Sequence, residues 1–179
     1  MESKSKGYFV SNSIIENLIN YQEKAAANYS HKNANNYSRH SLDQAYRLYT
    51  LAKAGQPDIG AMNRLRNKDK LSVTSSHLLA ASYALIGKTD IADILITGKS
   101  HKVEAYIETG NTYGSHVRDM SIILETLSII GKNERAAEVV ELISKELNSN
   151  NWHSTQSTCL LYTSPSPRDL STSRMPSSA

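Results

Sequence analysis

Residues 124–143, LETLSIIGKNERAAEVVELI, decide the fold. Apolar side chains recur every three or four residues on both sides of Gly131, which is the pattern of two amphipathic helices. Glycine readily adopts the left-handed conformation that ends a helix, and only a short polar turn separates the two apolar segments. The stretch therefore predicts two antiparallel helices joined as a hairpin.

The same pattern occurs in LYTLAKAGQPDIGAMNRL (48–65) and in ASYALIGKTDIADILI (81–96). The hairpin glycines are Gly55, Gly87 and Gly131, so their spacing is 32 and then 44 residues. A solenoid of identical repeats keeps one period. We therefore expect helical hairpins in an arrangement other than a strict solenoid.

Helix start signals fix the remaining boundaries. Ser13 is expected to cap the first helix, the second is expected to begin near Ser41, and a short helix is expected over 58–66. The other expected caps are Ser72 or Thr74, Thr89, Ser115 and Asn133. Polar and apolar residues alternate only weakly in KVEAYIETG (102–110), so this stretch is expected to be a connector, an extended segment or an irregular helix. Together these signals predict an all-α protein.

Composition excludes several classes of protein. The formal net charge of +3 is too small to indicate binding to nucleic acid or to an acidic membrane. No apolar run reaches the roughly 20 residues that a membrane helix needs, so we expect no membrane insertion by this segment. The single cysteine, Cys159, rules out an internal disulfide, and no Cys/His cluster indicates a zinc site.

No motif predicts catalytic, cofactor-binding or metal-binding residues, so we expect a protein that is not an enzyme and has no cofactor. GNTYGS (110–115) lacks the lysine of a phosphate-binding loop and is expected to lead into a helix. The six histidines lack paired metal-ligand spacing, and His77 is expected to be packed or partly exposed.

The polar side chains are expected to be solvated. Asp119 and Glu125 lie on helix faces near Arg118 and Lys132, which indicates exposed ion pairs. The tyrosines are expected to pack with their hydroxyl groups at the rim. A further polar surface is expected from Asp43, Arg47 and Arg64.

Four stretches resemble, in order, part of the bacterial alpha-2-macroglobulins, in the version found in Bacteroides-type bacteria. The resemblance extends from about Gly7 to Thr158, and its most specific pieces are LDQAYRLYTLAKAGQPDIGAMNRLR (42–66) and W-x-STQ-x-T (152–158). The other pieces are GYFVSNSIIENLINYQEKAA (7–26), LSVTSSHLLAASYALIGKTDIADILI (71–96) and the run 112–151.

This resemblance implies a thioester-type domain, an α/α toroid in which paired helices form a closed ring. It implies that residues 1–158 are part of such a ring within a larger protease trap of the cell envelope, in the periplasm or on the outer surface. The implied partners are the other domains of that parent and the proteases that it traps. No C-x-E-Q thioester motif occurs in this chain, so the resemblance implies no covalent capture by it.

Residues 159–179 are expected to be a disordered, non-native tail. CLLYTSPSPRD (159–169) and SRMPSSA (173–179) resemble, in one reading frame, the translation of a DNA-sequencing adapter with an index-sized gap between the pieces. In that case Cys159 is not native, and Met1 is an internal start. The next helix of the ring would then be missing, which should leave exposed the faces of Leu124, Leu127, Val140 and Ile143.

Two other classes stay open. A TPR-like helical scaffold for protein–protein interaction is supported by the hairpin turns, although the glycine spacing does not keep its period. An α/α-toroid enzyme would need clustered acidic residues at helix ends, and the sequence has none.

Overall fold

The computed structural model describes residues 7–29, 37–68, 71–108 and 113–163, and for 37–40 it describes the backbone. This part of the chain is all-α, with no β-strand among the described residues. The eight helices in it are α1 (Asn12–Ala27), α2 (Tyr37–Lys53), α3 (Ile59–Arg66), α4 (Val73–Leu85), α5 (Thr89–Ile96), α6 (His116–Ile130), α7 (Asn133–Leu147) and α8 (Thr155–Thr163).

The three predicted hairpin glycines all lie just after helices, with φ of +76° at Gly55, +76° at Gly87 and +78° at Gly131. The residue after each glycine donates its backbone N–H to a carbonyl five residues earlier, as in a Schellman motif. These bonds run from Gln56 to Leu51 (3.0 Å), from Lys88 to Tyr83 (2.9 Å) and from Lys132 to Leu127 (2.9 Å). The hairpin prediction is therefore confirmed at each turn.

Several helix starts differ from their predicted positions. The first helix begins at Asn12 with Ser11 in the cap position, and the second begins at Tyr37. Thr89 and Asn133 are the first helical residues of α5 and α7 and not their caps. After a left-handed glycine the chain re-enters a helix within two residues, which leaves the cap positions to lysines that make no side-chain cap bond. The predicted caps at Ser72 and Ser115 are confirmed, whereas Asp58, expected to be helical, is the cap before α3.

The helices form two layers. In the inner layer, α2 packs against α4, α4 against α6, and α6 against α8. In the outer layer, α3 contacts α2 and α4, α5 contacts α4 and α6, and α7 packs against α6. Ten of the thirteen residues of α4 and ten of the fifteen of α6 are buried. The centre of the core therefore consists of these two inner helices.

The expected open face beside the last hairpin is not exposed. Leu124, Leu127 and Ile143 are buried in the core, and Val140 is half-buried against it. The prediction was wrong because α6, which carries Leu124 and Leu127, packs against α4, α7 and α8, and because α7, which carries Val140 and Ile143, packs against α6.

The predicted boundary at Cys159 also differs from the structure. Helix α8 continues to Thr163, because Leu160 and Leu161 pack against the core. The first five residues of the expected tail are thus helical, whereas residues 164–179 lie outside the described part of the chain.

The segment between α5 and α6 is a connector fixed at several points. Ile107 forms an isolated antiparallel bridge with Ser115. Arg135 of α7 donates a hydrogen bond of 2.8 Å to the carbonyl of Lys99, and Glu138 lies 2.8 Å from His101 Nε2. Residues 109 and 110, which belong to the predicted extended stretch, lie outside the described residues. Among the helices that the structure describes, none is long and apolar enough to span a membrane.

Candidate binding groove

The described chain has an open groove with a volume of about 1540 Å³. Its walls come from both ends of the inner layer. Helix α2 contributes Asp43, Tyr46 and Arg47, whereas α8 contributes Gln156 and Cys159. The floor includes Tyr106 of the connector, the first turn of α6 and Trp152 of the loop before α8.

Serine side chains near the starts of the inner helices join neighbouring helices and so hold the two walls of the groove in place. Ser72, Ser115 and Ser154 each accept a hydrogen bond from the backbone N–H three residues later, at 3.1, 3.1 and 3.2 Å. Serine hydroxyl groups then join neighbouring helices: Ser41 Oγ lies 3.2 Å from Ser75 Oγ, and Ser115 Oγ lies 2.7 Å from Ser157 Oγ. These contacts connect α2 to α4 and α6 to α8. The recurring S-x-x-S of 72–75 and 154–157 was the sequence signal for this arrangement, and it was missed.

A buried polar cluster lies at the floor of the groove. Arg118 Nη2 lies 2.8 Å from Asp119 Oδ1 and donates to the Tyr106 hydroxyl at 3.0 Å. The Tyr106 hydroxyl donates to Asp119 Oδ2 at 3.0 Å, and Thr74 Oγ1 donates to the same oxygen at 3.2 Å. Arg118 Nη1 also reaches Gln156 Oε1 of α8 at 3.4 Å. The cluster therefore joins α4, α6, α8 and the connector.

The ionisation states of the cluster follow from burial and charge. Burial raises the pKa of the Tyr106 phenol, and the neighbouring Asp119 carboxylate raises it further against the opposing charge of Arg118. Burial alone would lower the pKa of the Arg118 guanidinium, but Asp119 and Tyr106 outweigh it and the pKa is raised. Tyr106 thus stays protonated and Arg118 stays charged at neutral pH. These ionisation states suit a cluster that holds its side chains in fixed positions better than one that transfers protons.

The observed ion pairs differ from the predicted ones in burial and in partners. Arg118 and Asp119 do pair, but both are buried, because the connector and α4 cover them. Glu125 pairs with Lys53 at 2.9 Å, and Lys132 pairs instead with Asp93 at 2.8 Å. The expectation of solvated pairs is therefore wrong for Arg118 and Asp119. Glu125 and Lys132 do form part-exposed pairs, but not with each other.

The predicted polar surface is only partly assembled. Asp43 and Arg47 lie one turn apart on α2 and both line the groove. Arg47 donates to Gln22 Oε1 at 3.1 Å and to Gln44 Oε1 at 2.6 Å. Arg64 lies apart on α3, outside the groove lining. Tyr106, which no sequence pattern singled out, and Trp152, which begins the W-x-STQ-x-T motif, complete the groove beside Tyr46 and Tyr113.

His77 is fully buried. Of the two predicted environments, packed or partly exposed, the packed one is therefore correct. Its Nδ1 lies 2.8 Å from the Val73 carbonyl oxygen, which holds the imidazole against its own helix. Burial lowers the pKa of His77 to about 4, and the positive charge of Arg135 lowers it further against that hydrogen bond. His77 is therefore a neutral core residue at pH 7.

The groove thus combines aromatic side chains with the polar cluster of Arg118 and Asp119. Among the described residues, no group of three or more His, Cys, Asp or Glu side chains is placed to hold a metal ion. Comparisons with protein-family models, with curated proteins and with solved structures returned no match.

Proposed function

We propose that this chain is a segment of the α/α-toroid domain of a bacterial alpha-2-macroglobulin-like protease trap, with no catalytic role of its own. Four stretches of sequence in family order support the assignment, from GYFVSNSIIENLINYQEKAA (7–26) to W-x-STQ-x-T (152–158). In this proposal the partners are the other domains of the longer protein and the proteases that it captures, and the location is the cell envelope.

One geometric observation carries the proposal. The inner helices α2, α4, α6 and α8 pack in sequence, and yet the first and the last of them line the same groove. A layer whose first and last helices border one groove is concave on that side, as an arc of a ring is. A superhelix of hairpins is also concave, so the curvature supports the ring only together with the order of the resembling stretches.

The polar floor supports a role in assembly. Arg118 and Asp119 neutralise one another, and their hydrogen bonds go to Tyr106, Thr74 and Gln156 of the same chain. A protonated tyrosine and a charged guanidinium offer no general base at neutral pH. The groove is therefore assigned to contact with protein, and the reactive events of the trap are assigned to other parts of the parent.

The test of the function uses the longer protein encoded by the source gene. Incubated with a general protease, it should protect a large substrate such as labelled casein while leaving cleavage of a small chromogenic peptide almost unchanged. The 179-residue chain, tested in parallel, should protect neither substrate. Equal cleavage of casein with and without the longer protein would refute the assignment and favour the helical scaffold.

A further inference from the structure

Four aromatic side chains with a large exposed fraction line the groove. Trp152 is 65% exposed, Tyr113 52%, Tyr46 46% and Tyr106 38%. Aromatic rings of this size are normally packed, with only their polar ends in water. Tyr113 is also the one residue other than glycine with a positive φ among the described residues, at +50°. Such strained backbone is found preferentially at active sites and ligand clamps, so these rings are placed for contact with a ligand.

The nitrogen groups of the lining include several hydrogen-bond donors without a partner. Gln22 Oε1 accepts from Arg47 Nε at 3.1 Å, and Gln156 Oε1 accepts from Arg118 Nη1 at 3.4 Å. Both glutamines thus direct their carbonyl oxygens to arginines, and their NH2 groups make no hydrogen bond within the described chain. Arg47 Nη2 and the indole N–H of Trp152 likewise have no partner there. Both sides of the groove therefore carry unpaired donors.

A proline-rich segment matches a groove of this kind. Other residues of an extended peptide each bring an N–H group that needs an acceptor, whereas proline brings only a carbonyl oxygen. Proline-rich segments adopt the polyproline II helix, whose carbonyl groups make no internal hydrogen bonds. This preformed helix docks on aromatic side chains and loses little conformational entropy on binding. Aromatic rings beside unpaired donors therefore favour a ligand rich in proline.

An unpaired carboxylate indicates a second feature of the ligand. Asp43 lies on the groove wall, is exposed, and forms no ion pair with any described residue. Arg47, one turn further along α2, is turned to Gln22 and Gln44 instead. A basic side chain of the ligand would supply the missing counter-charge. Arginine fits better than lysine, because its planar guanidinium binds a carboxylate with two hydrogen bonds and stacks on aromatic rings.

We propose that the groove binds a proline-rich, arginine-containing segment of a partner protein in the polyproline II conformation. The rings of Tyr113 and Trp152 pack against proline rings, and Asp43 pairs with the arginine of the segment. The unpaired donors on both sides bind its carbonyl groups. This inference deepens the proposed function and rests on one part of it, the assignment of the groove to contact with protein, to which it adds the chemical class of the partner.

The experiment uses the 179-residue chain and a fluorescein-labelled peptide, PPPRPPPRPPP. Titration of the peptide with the chain, followed by fluorescence anisotropy, should give saturable binding. The control peptide AGARGAGRAGA keeps the length and both arginines and should bind at least tenfold more weakly, because it lacks the proline rings and the preformed helix. Trp152→Ala should weaken binding of the proline-rich peptide at least tenfold. Tyr21→Ala removes an equally exposed ring outside the groove lining and should leave the affinity within twofold of the original.

Asp43→Asn provides a second test at an exposed position. It should weaken binding at least threefold at low ionic strength, and the difference should shrink as salt is added. Thermal unfolding, followed by circular dichroism, checks the fold of each variant, and if Trp152→Ala unfolds, Asp43→Asn decides the test.

Three results would overturn the proposal: the absence of saturable binding, equal affinities for the two peptides, or unchanged binding by the folded variants of Trp152 and Asp43. Failure of the casein assay with the longer protein, together with intact peptide binding, would instead remove the protease trap alone.

Discussion

Ser115 Oγ lies 2.7 Å from Ser157 Oγ, and this contact joins the first turn of α6 to the first turn of α8. Ser157 is fully buried, and its hydroxyl also lies 3.1 Å from Ser154 Oγ. The last inner helix is therefore held to its neighbour by polar contacts at one end and by Leu160 and Leu161 along its length. The position of the groove wall that α8 forms depends on this attachment.

Removal of the Ser157 hydroxyl should loosen α8. In Ser157→Ala, the two serine partners lose a buried hydrogen-bonding group, which should lower the free energy of unfolding by about 1–2 kcal/mol. Amide hydrogen exchange should accelerate in α8 more than in α4. Thr155→Ala, at an exposed position of the same helix, should leave exchange in α8 almost unchanged. Equal exchange in the two variants would contradict the role of the serine contact.

The buried Arg118–Asp119 ion pair should contribute far more to the free energy of unfolding than an exposed ion pair. Arg118→Met leaves the buried Asp119 carboxylate without its counter-charge and should cost about 3–5 kcal/mol in urea denaturation. Lys132→Met removes the partner of Asp93, but both side chains of that pair are about half exposed, so the cost should stay below about 1 kcal/mol. Similar losses in the two variants would show that the Arg118 cluster is not desolvated.

Gly131 should tolerate no β-branched side chain. Its φ of +78° is in the left-handed region, so Gly131→Val should lower the free energy of unfolding by at least about 1–2 kcal/mol. Gly60 provides the matched control, because it lies within α3 and its φ is not positive. Gly60→Ala should be neutral or stabilising by up to about 1 kcal/mol. A neutral Gly131→Val would argue against the hairpin turn.

His77 should make stability fall with acidification. Its folded-state pKa of about 4 lies below the ordinary histidine pKa of 6.5, so between these values the unfolded chain binds more protons. The stabilisation is fully present above about pH 6.5 and is lost as the pH falls towards 4. From pH 7 to pH 5 the loss should be about 2 kcal/mol.

Denaturation of His77→Gln across this pH range should show a shallower slope than that of the original chain. If His77→Gln and the original chain lose stability in parallel, the pH dependence arises from other groups.

Local sequence signals predicted the helices and their turns well. The left-handed glycines and the caps at Asp58, Ser72 and Ser115 depend on residues within one turn, and these are readable from the chain. Burial of Arg118 and Asp119 could not be read in this way, because it depends on Thr74 and Tyr106, which are distant in sequence. The continuation of α8 was missed for a related reason.

Proline and serine after Thr163 suggested an end to the helix at Cys159. The packing of Leu160 and Leu161 against the core instead extends it to Thr163. The groove itself is lined by residues of α2, the connector, α6 and α8, which are far apart in the sequence. No single segment encodes it, so the residues that line it could not be selected from spacing alone.

The curvature of the inner layer is the claim on which the proposed function depends, and cross-linking tests it most directly. Tyr46→Cys on α2 is paired with the exposed Cys159 on α8, which lines the same groove. Both thiols are treated with a bismaleimide whose spacer is about two helix diameters, roughly 20 Å, because α4 and α6 lie between α2 and α8 and a flat layer would separate them by about three diameters. Mass spectrometry of dilute protein should find one reagent bridging both thiols within one chain. The control Ile94→Cys, on the outer helix α5, should instead take up two separate reagents. If Tyr46→Cys behaves like this control, α2 and α8 do not face one another, and the assignment to a toroid falls.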